Sequence, residues 1–471
     1  MNTILKEDLL TLNKLLSDTL LQGLTYLSNL DQTPTSVSFD PPAERTLSTS
    51  GMGGEGALYE FINRFEPLMV ASSGPRYWGF VTGGSTPAAL MGDLLATIYD
   101  QNTQTTKGHG DVSAIVEFET IRLLLELFDL PDDFMGGFVT GATMSNFTCL
   151  GAARQWVGRK QGYDIAKSGI SRPIHILSAV PHSSSIKALS MLGIGSSQMT
   201  RIPTINPTRE AIDISKLEEA IHQLNGEPFI LISSGGTVNT VDFDDMKAIS
   251  ALREKHDFWW HIDAAFGGFA AVSPKHKHLI EGWERADSIT IDGHKWLNVP
   301  YESAFFFARK EHTLHQVDTF QNSNAPYLGD PNENFNYLNF LPENSRRFKA
   351  LAAWFSLVAY GKEGYREIVE RTIDMAQELG QFIADSEAFE LLAPTRLNTV
   401  CFTLKNGNEA DVNTFLSKLN DGGKVFMTPT SFNGRAGIRA ALVNWRTTAV
   451  DVQIVKEEMN QVIQGIQSVV L

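Results

Sequence analysis

Leucine recurs at helical spacing near the start of the chain. Leu9, Leu10, Leu12, Leu15, Leu16, Leu20, Leu21 and Leu24 fall on one broad face of an amphipathic helix predicted over residues 2–28. That face needs a cover, from its own domain or from a second subunit. The stretches DQTPT, DPPAE and STSGMGGEG follow. Rich in Pro, Gly, Ser and Thr, they read as an extended connection. From about residue 75 short apolar runs alternate with helical patterns. FMGGFV, PIHILSAV, PFILISS, FWWHI, DSITI and AFFFA are the apolar runs. SNFTCLGAARQWVGRK, SSIKALSMLG and DDMKAISALREKH are helical. Alternation of this kind predicts an α/β fold with a mainly parallel, doubly wound sheet. Ligands in such sheets bind at the carboxyl ends of the strands.

The pattern changes after SRRFKALAAWFSLVAYG. A long helix through REIVERTIDMAQELGQFIAD, strands at TVCFTL and AGIRAALVN, and a closing helix VDVQIVKEEMNQVIQGIQ predict a smaller α+β domain. The expected organisation is an N-terminal segment over 1–74, a large domain over 75–345 and a small domain over 346–471. The polar stretch QNSNAPYLGDPNENFNYLNFLPENS reads as a long loop, of the kind that often closes over a site.

Composition narrows the function. The chain has 471 residues, 20% of them charged and 42% hydrophobic, an ordinary globular balance. Its net charge of −15 argues against an electrostatic grip on nucleic acid or an anionic membrane surface. No apolar run reaches the length that spans a bilayer, and the N-terminus lacks the features of a targeting peptide. Cys149 and Cys401 are the only cysteines, which suits a reducing compartment and argues against a thiolate zinc site. A cytoplasmic protein without a metal is expected.

Candidate chemistry sits just past the apolar runs. In SITIDGHKW, Lys295 follows a strand and precedes Trp296 and Leu297. An apolar setting lowers a lysine pKa, and such an amine forms Schiff bases with carbonyls. A surface lysine is the plain alternative. In FWWHIDAAFGG, Asp263 ends a strand and Ala264 and Ala265 offer a flat, small-residue surface. A buried carboxylate there caps a helix or pairs with a protonated pyridine nitrogen. In VTGATMSN, Gly141, Ala142, Thr143 and Ser145 stand at a strand-to-helix turn, an ordinary cap or a phosphate site. His182, in AVPHSSSIKA, stands at another strand end, where its ring could stack on a flat cofactor.

HIDAAFGG with IDGHKW resembles the pyridoxal-phosphate-dependent group II decarboxylases, the family of the aromatic amino acid, histidine and glutamate decarboxylases. RYWGFVTGGSTPAAL, TGATMSNFTCLGAAR, PHSSSIKALSMLG and GGTVNTVDFDD extend the resemblance over most of the chain. It implies the aspartate-aminotransferase-like fold, pyridoxal 5′-phosphate as cofactor, an amino acid substrate and a homodimer with sites at the subunit interface. By resemblance, Lys295 is the Schiff-base lysine and Asp263 the partner of the pyridine nitrogen. Ala265 lies under the ring and His182 is stacked over it. Ala142, Thr143 and His294 fall on the phosphate side, and Thr237 near the cofactor. Thr82 falls on the substrate side, and Tyr327 is the loop tyrosine near the substrate carbon. Asp292 departs from the Asn or Ser of some relatives, and a carboxylate beside a phosphate is repulsive unless it turns away or shares a proton. The implied reaction is decarboxylation of an L-amino acid. Transamination and aldehyde formation on the same fold are the alternatives, and a non-enzymatic protein that keeps the fold is a third, which the complete set of Lys295, Asp263 and His182 argues against. Arg439, in AGIRAAL, falls where aminotransferases of this fold bind a carboxylate, whereas Tyr327 favours decarboxylation.

Overall fold

The computed structural model describes residues 1–104, 112–321 and 335–470. Seven strands build the large sheet: β1 (Phe134–Val139), β2 (His175–Ser178), β3 (Met199–Arg201), β4 (Phe229–Ser234), β5 (Trp259–Asp263), β6 (Ser288–Asp292) and β7 (Ala304–Arg309). Their order is β1-β7-β6-β5-β4-β2-β3. From β6 to β3 all neighbours run parallel, while β7 is antiparallel to both β6 and β1. The exception has a physical reason. Only residues 293–303 connect β6 to β7, and a parallel crossover needs a dozen or more residues. β3, a three-residue edge strand, carries no pattern that the sequence reading could detect.

Every residue of β4, β5 and β6 is buried, as expected of a sheet covered on both faces. Side chains alternate between two cores. Ile230 and Ile232 pack with Leu150 and Val157 of the helix Ala142–Lys160 and with Leu189 of the helix Ser183–Met191. Phe229 and Leu231 face Leu217 and Ile221 of the helix Ile214–Gln223, and Ile249 and Leu252 of the helix Met246–Arg253. Strand, turn and helix starts therefore converge at the carboxyl edge of β4–β6.

A second, antiparallel sheet has the order β10-β11-β9-β8, from β8 (Phe389–Leu391), β9 (Thr399–Leu404), β10 (Thr428–Phe432) and β11 (Arg435–Ala441). Asn433 and Gly434, both at positive φ, close the two-residue β10–β11 hairpin, as Asn-Gly does in a primed turn. The long helix Ala350–Asp385 is interrupted at Gly361 (φ 58°). Its Leu357 and Ile373 belong to the large core, its Leu379 and Ile383 to the small one.

At the N-terminus the expected single helix is two, Thr3–Leu10 and Leu12–Ser28, parted at Thr11 (φ −105°, ψ 13°). Leu9, Leu10, Leu12, Leu16, Leu20, Leu21 and Leu24 are exposed in the single chain. No described helix is long and apolar enough to cross a membrane.

Candidate active site

Asp263 closes β5, where the sheet ends and the chain turns into Ala264 and Ala265. The carboxylate is 7% exposed. Oδ2 accepts from Asn146 Nδ2 at 3.1 Å and Ser185 Oγ at 3.2 Å, and Oδ1 from the Ala265 N–H at 3.3 Å. All three donors are neutral, and no cation pairs with Asp263 among the described residues. Asn146 is itself fixed, because its Oδ1 meets His261 Nε2 at 2.8 Å and His261 Nδ1 meets Ser288 Oγ at 2.9 Å. Burial holds the His261 imidazole pKa well below its usual value. The ring is therefore neutral, and it orients Asn146 without neutralising Asp263.

Lys295 lies three residues beyond β6. Its Nζ sits 2.8 Å from Asp292 Oδ2 and 5.4 Å from the centre of the Phe266 ring. Asp292 is 2% exposed, and its Oδ1 has no hydrogen-bond partner and lies 3.7 Å from His294 Nε2. The charge that would repel a phosphate is thus engaged by an ammonium. The His294 ring stacks on Tyr301 with 4.3 Å between centroids, and its Nδ1 accepts from the Ser303 N–H at 3.3 Å. Burial lowers its pKa, Asp292 opposing the shift and Lys295 adding to it.

Lys295, Asp263, Ala265, His182 and Thr237 line one cleft, together with Phe266 and Glu210. His182 caps the helix Ser183–Met191 through Nδ1, which accepts from the Ser184 N–H at 3.2 Å. Its ring opens to the cleft, yet the protein around it lowers the imidazole pKa. Desolvation leads, Asp263 opposes, and Lys295 contributes. The neutral ring can lie on a flat group without adding charge. Thr237 Oγ1 donates to Glu210 Oε2, which also accepts from Thr240 Oγ1.

The helix that begins at Ala142 has no side-chain cap, so the first N–H groups, Ala142 and Thr143 among them, face a partly open turn. A Cβ built on Gly141 would meet only His294 Cε1, at 3.7 Å. Thr82 Oγ1 lies 3.4 Å from Oη of Tyr301, the ring stacked on His294. The preceding Phe80 and Val81 both hold positive φ (56° and 62°), costly for a bulky and a β-branched residue and common near functional sites. Arg439, on β11, donates to Val238 O at 3.1 Å. Its Nε is buried without a partner, and desolvation lowers its pKa. Tyr327 lies outside the described residues.

The model of the pyridoxal-dependent decarboxylase conserved domain matches residues 62–405. The chain belongs to the pyridoxal-dependent decarboxylase family. The decarboxylase is 27% identical to the aromatic-L-amino-acid decarboxylase of Bacillus atrophaeus over 94% of this chain and 92% of that one. It is 26% identical to a phenylacetaldehyde synthase of Petunia hybrida over 88% and 87% of the two chains. Its fold matches the crystal structure of Oryza sativa TDC with PLP and tryptamine at a TM-score of 0.88. That match has 20% identity and covers 97% and 98% of the chains.

Pyridoxal 5′-phosphate fits the residues present. Asp263 is a buried carboxylate that lacks a cation and suits a protonated pyridine nitrogen. Lys295 supplies an amine in the same cleft, Ala265 leaves room for a ring, and the uncapped helix start at Ala142 and Thr143 suits a phosphate. The structure also brings to the cleft and its surroundings residues that the sequence analysis did not single out as site residues. Asn146 had a signal, since it lies one helical turn after Ala142. Ser185 had one too, as part of the serine run after His182 that reads as a helix cap, while Glu210 and Tyr301 had none.

Proposed function

We propose that the chain decarboxylates an L-amino acid to the amine and carbon dioxide. The observation that carries this reading is Asp263, a buried carboxylate with only neutral donors, sharing one cleft with Lys295. When bound, pyridoxal phosphate supplies an electron sink for the bond that breaks. Asp263 holds the proton on the pyridine nitrogen, and Asn146 and Ser185 hold Asp263. Lys295 would hold the cofactor through Nζ, with Asp292 keeping that amine in place. Ala142, Thr143 and His294 would hold the phosphate. The neutral His182 ring would cover the cofactor, and Thr237 would brace that wall through Glu210. Thr82 orients the substrate beside His182. Tyr327 returns a proton to the substrate carbon, and Arg439, held on Val238 O, binds the substrate carboxylate only in the alternative, transaminating reading.

We infer a homodimer from the apolar face of the two N-terminal helices. Sedimentation should give twice the 52.0 kDa chain mass, and a monomer would sink the inference. A reducing, cytosolic setting is supported by Cys149 and Cys401, both buried and unpaired, and cell fractionation is its check.

The central test is a panel of L-amino acids with amine, carbon dioxide, aldehyde and keto acid measured together. Amine with stoichiometric gas release supports the proposal, and keto acid or aldehyde as the main product refutes it. Tyr327→Phe should shift product from amine toward aldehyde. Borohydride reduction should label Lys295, and label on another lysine overturns its assignment. Asp263→Asn should keep the fold and lose most turnover, whereas wild-type turnover would make Asp263 a structural cap.

A further inference from the structure

A second cluster of ligand-type side chains lies far from the cleft. Glu218 and His222 sit one turn apart on the helix Ile214–Gln223, so they share a face. His256 stands in the connection between the helix Met246–Arg253 and β5, held by its N–H on Leu252 O at 3.0 Å. The two imidazoles meet edge to face, with 5.3 Å between centroids and 84° between planes. One ligand atom from each of Glu218, His222 and His256 lies within 4.8 Å of the others. Independently, His256 Nε2 is shielded from solvent and has no hydrogen-bond partner. A buried imidazole nitrogen without a partner is costly. A coordinated cation would satisfy it.

We propose that Glu218, His222 and His256 bind a zinc-class divalent cation. Two imidazoles and one carboxylate are a ligand set that zinc takes, with the fourth position left to water. Ligand atoms held at zinc distances in a tetrahedron lie about 3.3 Å apart. Closing from 4.8 Å calls for side-chain movement, and His222 is exposed. Lys255 Nζ, 3.1 Å from Glu218 Oε1, competes for that carboxylate. The site lies at the amino end of β5 and the cleft at its carboxyl end, with the strand alone separating them by roughly 13 Å. The cation therefore takes no part in the reaction. It ties a surface helix to the segment that feeds β5.

Equilibrium dialysis of the holoenzyme against Zn²⁺ tests this. The wild type should bind one ion per chain more than His222→Ala/His256→Ala does. Glu218→Gln should weaken that binding at least tenfold, and Lys255→Met should strengthen it several-fold. Turnover should be unchanged in the double variant, which also reports that it is folded. Should the double variant misfold, the exposed His222→Ala alone carries the same comparison. Equal stoichiometry and affinity in the wild type and the His variants would overturn the proposal.

Discussion

Gly83→Ala should damage the active site without touching any group that reacts. Gly83 donates its N–H to His294 O at 3.2 Å, which lays the Thr82 segment directly on the turn that carries Lys295. A Cβ at Gly83 would stand 1.7 Å from the Lys295 carbonyl oxygen and 2.7 Å from its carbonyl carbon. Reaching even 3.0 Å demands a movement of about 1.3 Å, and the clash is with backbone, so no rotamer relieves it. Neither side yields cheaply. Upstream, Trp78 is locked in the small core, and downstream Thr86 Oγ1 meets Ser356 Oγ at 2.8 Å. Beyond Lys295, Trp296 and Leu297 are fully buried. Overpacking of such a junction costs about 1–3 kcal/mol. A misplacement of about 1 Å in a catalytic group costs roughly 10²-fold in rate. The expected outcome is a lowered thermal midpoint, weaker cofactor retention by absorbance, and a fall in kcat/KM of about two orders of magnitude. Thr82→Ala serves as the comparison, since it removes a hydroxyl and moves no backbone. Wild-type kcat/KM and an unshifted midpoint in Gly83→Ala would refute the claim that the two segments are rigidly docked.

Two further outcomes concern stability. Arg346 Nη2 binds Glu117 Oε1 at 2.6 Å and Phe138 O at 2.7 Å, with Glu117 fully buried. Arg346→Leu strands that carboxylate and should cost about 3–5 kcal/mol in denaturant unfolding, much of it recovered in Glu117→Leu/Arg346→Leu. A double variant no more stable than the single would count against the buried-pair account. Burial also pushes the His315 imidazole down to about 4, below its ordinary 6.5. Its contribution is therefore full above about pH 6.5 and is lost as pH falls toward about 4, because the unfolded chain binds the proton first. Melting curves across that window should fall more steeply for the wild type than for His315→Asn, and equal slopes would contradict the assignment.

Much of the carboxyl edge of the large sheet was legible along the chain because its signals are local. Runs such as FILIS, WWHI and SITI are short and rich in β-branched and aromatic residues, as buried strands are, and Asp263 and Lys295 lie within a few residues of strand ends. A strand end in a parallel sheet is a defined place, so a motif there has a position as well as a composition. Packing decided the rest. Asn146 reaches Asp263 across 117 positions of sequence, a link that no periodicity encodes. Whether Asp292 faces a phosphate or an ammonium depends on how the turn after β6 folds back, and composition is silent on that. The reversal of β7 follows from a connection too short for a crossover. The leucine pattern over residues 2–28 marked an apolar face but not the break at Thr11, since one residue leaving helical geometry changes no periodicity. His222 and His256 stand 34 positions apart, a separation that no local pattern bridges. Only the packing of the helix Ile214–Gln223 beside the approach to β5 makes them neighbours. The sequence by itself determined which strands are buried and which residues close them, because burial and turn chemistry act over a few residues. The tertiary structure alone decided which side chains meet, because those contacts are closed by long-range packing of the cores.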